Sequence, residues 1–212
     1  MTEVPTPTID AGAVRWSANE RDRSGRPLLV LLHGLGSDED DLFGLSPYLP
    51  LAPAIASLRA PYAYGAGYSW FPPTADQTER AAYANAAAQG ILDWLATERH
   101  VQSIGLLGFS QGGAMVHQLM RTEPHRFAYG VQLSGFVIDE TEPGDVELAN
   151  ELPPVFWGRG TADPMIPAAD VATTAEWLAS HASADVRIYE GLGHSVADRE
   201  ITDVAAFIRS QL

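Results

Sequence analysis

The stretch Ser103-Ile104-Gly105-Leu106-Leu107-Gly108-Phe109-Ser110-Gln111-Gly112-Gly113 decides how this chain folds. An unbroken apolar run that ends in Gly-x-Ser-x-Gly reads as a strand buried on both faces and turning sharply into a helix. Helical spacing begins at once and continues to residue 122. The glycines fit a turn where neighbouring backbone comes too close for a Cβ. The new helix aims its first amides at Ser110, which favours negative charge developing there. The same residues also read as a tight turn with Ser110 as its N-cap. The strand before and the helix after favour the serine as a nucleophile.

Outward from this point the pattern repeats. Residues 27–33, 54–58, 128–134, 155–158 and 185–189 are short apolar runs ended by Gly, Pro, Ser or small polar clusters. Residues 77–98, 168–180 and 196–212 carry helical spacing between them. Ala87, Ile91, Trp94 and Leu95 share one helix face, and so do Val204, Phe207 and Ile208. Alternating strand and helix predict one α/β domain over residues 1–212, with a mostly parallel sheet, helices on both faces and no large cap. Residues 13–16 followed by the turn-rich 19–26 read as an antiparallel edge strand and hairpin. Residues 60–75 and 135–152 lack periodicity and read as long loops. Both follow a strand's C-terminal end, where open α/β sheets bind ligands.

Composition removes several classes of function. The chain has 212 residues, 13 basic and 27 acidic, for a formal charge of −14 and no cysteine. Such a charge repels nucleic acid and anionic membrane. Without cysteine there is no disulfide, thiolate metal site or cysteine nucleophile. The first ten residues lack the basic start and apolar run of a secretory signal, and no run is long enough to span a membrane. The expectation is a cytoplasmic protein, with its oligomeric state left open.

A serine hydroxyl needs a base. Of the six histidines, His194 lies in Gly191-Leu192-Gly193-His194-Ser195, after the run 185–189 and before the last helix. That places it on the same rim as Ser110. His100, His117, His125 and His181 fall on or beside helices and read as surface or packing residues, and His33 as structural. The imidazole needs a carboxylate to fix its tautomer. Asp163, in a turn stiffened by Pro164 just past the run 155–158, is placed to serve. An Asp-Pro turn bonding its own backbone is the other reading. The order Ser110, Asp163, His194 is that of α/β-hydrolases. His33-Gly34-Leu35-Gly36 follows the first buried run, and its glycines let an amide turn inward. The Leu35 and Gln111 amides are the expected oxyanion-hole pair.

Several motifs together resemble the phospholipase/carboxylesterase family of α/β-hydrolases. They are His33-Gly34-Leu35-Gly36, Leu58-Arg59-Ala60-Pro61 with Trp70-Phe71 following, Gly108 to Gly113, Asp163-Pro164-Met165-Ile166-Pro167 and Gly193-His194-Ser195. The resemblance covers roughly residues 27–212 and implies a cofactor-free hydrolase of modest carboxylic esters, with some members acting on thioesters or lysophospholipids. It implies Ser110, Asp163 and His194 as the catalytic triad. The chain departs from the family at Arg159-Gly160, where His-Gly is usual, and at Phe71-Pro72-Pro73. The related dienelactone hydrolases use a cysteine that this chain lacks.

Tyr62, Tyr64, Tyr68, Trp70 and Phe71 crowd the first long loop. They serve equally as walls of a substrate pocket or as packing for the loop. Phe109, Phe136, Met165 and Ile166 flank the candidate catalytic residues, so Tyr68, Trp70, Phe71 and these four are the expected substrate contacts. The expected activity is hydrolysis of a small-molecule ester without metal or cofactor. A thioesterase or lysophospholipase acting on acyl-protein, acyl-coenzyme or lysolipid substrates, and a catalytically silent binding protein on the same fold, are the alternatives.

Overall fold

The computed structural model describes residues 4–74, 76–98 and 101–212, so His100 lies outside the described residues. The chain begins with β1 (Arg15–Trp16), α1 (Glu20–Arg23), β2 (Leu28–Leu32), α2 (Glu39–Phe43), a 3-10 turn at Ser46–Tyr48 and β3 (Ala54–Leu58). A small hairpin of β4 (Tyr62–Tyr64) and β5 (Gly67–Ser69) comes next, then α3 (Gln77–Thr97), β6 (Ile104–Phe109) and α4 (Gln111–Thr122). The remainder is β7 (Tyr129–Leu133), α5 (Asp145–Glu151), β8 (Pro154–Gly160), α6 (Ala168–His181), β9 (Ser183–Tyr189) and α7 (Asp198–Ser210).

The main sheet runs in the order β1-β3-β2-β6-β7-β8-β9. Every neighbouring pair is parallel except β1 with β3. The strand period of two divides the core between the faces. Leu28, Val30 and Leu32 of β2 join Leu106, Ile91, Leu95, Leu119 and Leu178, under α3, α4 and α6. Leu29 and Leu31 join Leu107, Val131, Leu42, Val204, Phe207 and Ile208, under α2 and α7. Both shared helix faces expected from the spacing are buried.

Three expectations need correction. β1 forms no hairpin: it pairs with β3, with Arg15 opposite Ser57 and Trp16 opposite Ala56. The segment after it is α1, capped by Asn19, whose Oδ1 accepts from Asp22 N at 3.0 Å. β2 takes parallel partners on both sides, which leaves β1 only the outer edge of β3. The stretch 60–75 holds the β4–β5 hairpin, with three residues per strand, too short for a clear alternation. The stretch 135–152 holds α5, whose seven residues bury only Leu148 and so show no periodic apolar stripe.

From β2 the chain goes to β3 on one side, then crosses to β6 on the other. The adjacent C-terminal ends of β2 and β6 therefore form a topological switch point, where α/β sheets leave a crevice. The loop containing Gly34 and Leu35 follows β2, and Ser110 follows β6.

Candidate active site

Ser110 occupies a strained turn, with φ 54° and ψ −116°. Its N–H donates to the Leu133 carbonyl at 2.8 Å, and its own carbonyl accepts from Ala114 N at 3.1 Å. A Cβ added at Gly108 would lie 2.1 Å from the Gly112 carbonyl oxygen, and one at Gly112 would lie 1.9 Å from the Leu32 carbonyl oxygen. Backbone on the far side cannot yield, so both positions require glycine. Strained serine backbone held this firmly is the kind found at functional sites.

His194 lies between β9 and α7. Its Nε2 is 2.9 Å from Ser110 Oγ, and its Nδ1 is 2.7 Å from Asp163 Oδ2. The Asp163 carboxylate accepts at Nδ1, so Nδ1 carries the proton and Nε2 presents its lone pair to the hydroxyl. The Phe109 ring packs 4.8 Å from the imidazole, centre to centre. Asp163 sits in the turn between β8 and α6, where its Oδ1 also accepts from Met165 N at 2.8 Å. Burial pushes its carboxyl pKa up, but the bonds from His194 and the Met165 amide outweigh burial and hold it below the ordinary value. The row therefore joins a hydroxyl, a base and an ionised orienting group, the components of serine nucleophilic chemistry.

The loop after β2 is built around His33, which is fully buried. Its Nδ1–H donates to the Gly34 carbonyl at 2.8 Å, and its Nε2 accepts from Ala60 N at 3.1 Å. Burial lowers its pKa, in keeping with a neutral ring that both donates and accepts. The Trp70 indole N–H donates to the His33 carbonyl at 2.9 Å. Gly34 lies against the serine: a Cβ there would be 3.6 Å from Ser110 Cβ. The Gln111 side chain clamps the neighbouring segment. Its Oε1 accepts from Trp70 N at 2.8 Å, and its Nε2 donates to the Phe71 carbonyl at 2.7 Å. The backbone N–H groups of Leu35 and Gln111 have no backbone acceptor among the described residues.

A cleft of about 600 Å³ contains Ser110, His194, Leu35 and Gln111. Phe71, Phe109, Phe136, Met165 and Ile166 line it. Tyr68 and Trp70 do not. Trp70 has no exposed surface, because its indole is fixed beneath the loop by His33. The Tyr68 ring lies under the Arg59 guanidinium, 4.7 Å from centroid to Cζ, and its backbone bonds to Gly36 and Ser37. Both residues support the site from behind. Sequence reasoning missed Arg80, Asp170 and Asp41, which also line the cleft. A charged residue in the first turns of a helix carries no spacing signal that marks it for a site. Of the departures from the family pattern, Pro73 lines the cleft, whereas Arg159 lines a neighbouring cavity of about 330 Å³ with Ser134 and Ile166. Among the described residues, no three metal-ligating side chains converge and no helix is long and apolar enough to cross a membrane.

Comparison with known proteins gives a consistent picture. The sequence pattern described as Phospholipase/Carboxylesterase matches residues 17–212. An acyl-protein thioesterase 1 from Eremothecium gossypii is 27% identical over 213 residues, covering 91% of each chain. A carboxymethylenebutenolidase homolog from Mus musculus is 26% identical over 77% of this chain and 64% of its own length. Among solved structures, esterase PE8 superposes with a TM-score of 0.78 at 25% identity, over 97% of this chain and all of the other. A carboxylesterase from Mesorhizobium loti gives 0.76 at 21% identity, over 96% and 99%.

Proposed function

The chain belongs to the phospholipase/carboxylesterase family, and we propose that it is a serine carboxylesterase acting on small to medium esters through an acyl-enzyme on Ser110. The observation that carries this reading is the position of His194, which bridges Ser110 at 2.9 Å and Asp163 at 2.7 Å. Ser110 Oγ attacks the ester carbonyl while His194 Nε2 takes its proton. Asp163 stabilises the imidazolium that forms. The Leu35 and Gln111 amides hold the negative oxygen of the tetrahedral intermediate. Such a donor contributes about 2.7–4 kcal/mol to transition-state stabilisation. His194 then returns the proton to the departing alcohol, leaving an acyl-serine. Water, deprotonated by the same imidazole, attacks this ester and releases the acid and free Ser110.

Ser110→Ala is expected to lower the turnover of p-nitrophenyl butyrate by roughly 10⁴–10⁶-fold without loss of folding. Near-normal turnover by a correctly folded variant would overturn the reading. Thioester hydrolysis is the second reading, favoured by the near full-length similarity to an acyl-protein thioesterase. The two share one mechanism, so kcat/KM on matched oxygen and thio esters of one acyl group decides between them.

A further inference from the structure

The catalytic cleft contains a cation that the mechanism above does not use. Arg80, in the first turns of α3, is the one arginine lining the cleft among the described residues. Its side chain is 16% exposed. Three contacts hold it in place. Nη2 donates to the Thr74 carbonyl at 2.9 Å, and Cζ lies 5.5 Å from the centre of the Phe136 ring. Nη1 is 3.8 Å from Asp170 Oδ2, close enough for charge attraction but too far for a hydrogen bond. Thr74, Phe136 and Asp170 line the same cleft.

A guanidinium has five N–H donors in a rigid fork suited to carboxylate. Here the Thr74 carbonyl takes one, and no carboxylate oxygen lies within hydrogen-bond distance of the others among the described residues. Donors withdrawn from bulk water favour any acceptor brought to them, an ionised one most of all. Asp41, the other acid in the cleft, already accepts from Ser37 Oγ at 2.8 Å. The charge of −14 acts over the whole surface and is screened by salt, whereas a fixed guanidinium in the cleft acts at contact distance.

We propose that Arg80 is a specificity-determining residue, which binds a carboxylate carried by the ester substrate elsewhere than at the scissile bond. This rests on the carboxylesterase reading and adds a substrate class to it: esters with a second, free acid group. That group belongs either to the acyl part or to the alcohol part, and the two are separable. For the acyl side, the p-nitrophenyl half-esters of succinate, glutarate and adipate are compared with neutral esters in which a dimethyl end replaces the carboxylate. For the alcohol side, butyrate esters of glycolate and 4-hydroxybutyrate are compared with neutral alcohol esters of equal size.

On at least one side, Arg80→Met is expected to lower the acid-to-neutral ratio of kcat/KM by about 10-fold, mainly through KM. The neutral esters stay within about 3-fold of wild type. Arg80→Lys recovers part of the ratio, since it keeps the charge and loses the fork. A ratio unchanged by Arg80→Met on both sides overturns the assignment. Equal loss on acid and neutral esters also overturns it, because Arg80 then only props the wall of the cleft. The neutral esters report separately on the underlying reading. If wild type hydrolyses none of the esters, that reading fails and takes this inference with it, whereas an unchanged ratio on active enzyme leaves it intact.

Discussion

His194 stands 84 positions from Ser110 and 31 from Asp163, yet both are within hydrogen-bond distance of its ring. Each of the three was legible because it sits in a turn marked by glycine or proline at the C-terminal end of a strand. The aromatic residues were less legible, since a ring in a loop has the same sequence signal whether it faces substrate or core. Trp70 and Tyr68 proved to be supports, and Phe71 lines the cleft. Asp163→Asn keeps the shape but removes the acceptor that fixes the imidazole tautomer. Its kcat/KM on p-nitrophenyl butyrate is expected to fall by on the order of 10³–10⁴, with unfolding little changed. Loss of less than about 10-fold would show that His194 needs no orienting anion.

The strand–turn–helix element from Ile104 to Thr122 connects sequence to site most directly. Its glycines are set by backbone: Gly112 faces the Leu32 carbonyl and Gly108 faces Gly112. Gly112→Ala pushes a methyl group into the carbonyl end of β2, separating the strand that carries the Leu35 loop from the helix that begins at Gln111. The expected cost is at least about 1–3 kcal/mol, read as a lower Tm, together with loss of esterase activity. A variant with unchanged Tm and activity would mean that the two strand ends can move apart freely. The parallel strands were legible because each is a continuous apolar run between helical segments. The hairpin and α5 were not, because elements of three to seven residues do not complete enough periods to show one. The partner of β1 was also hidden, since pairing with β3 depends on the sheet and on nothing local.

At the scale of the whole molecule, two apolar layers enclose a mostly parallel sheet, and the site lies where its strand order reverses. One buried group makes stability depend on pH. Glu200, in the first turn of α7, has no exposed surface, and its Oε1 has no partner among the described residues. Burial pushes its pKa from the ordinary 4.5 up to about 7. The folded state therefore holds this proton more tightly than the unfolded chain does. Its contribution is complete below pH 4.5 and is lost as pH rises through about 7. Between pH 5 and 8 this group should remove roughly 1–3 kcal/mol of stability. In urea unfolding, Glu200→Gln is expected to flatten that difference by stabilising the protein at pH 8 more than at pH 5; an equal effect at both would place the proton elsewhere. The chemistry itself is tested most directly by treating the native protein with a fluorophosphonate and mapping the adduct by peptide mass spectrometry. A single adduct on Ser110, abolished by unfolding and slowed at least about 100-fold by His194→Ala, is the expected result. Stoichiometric labelling of another residue, or full esterase activity with Ser110 fully modified, would contradict it.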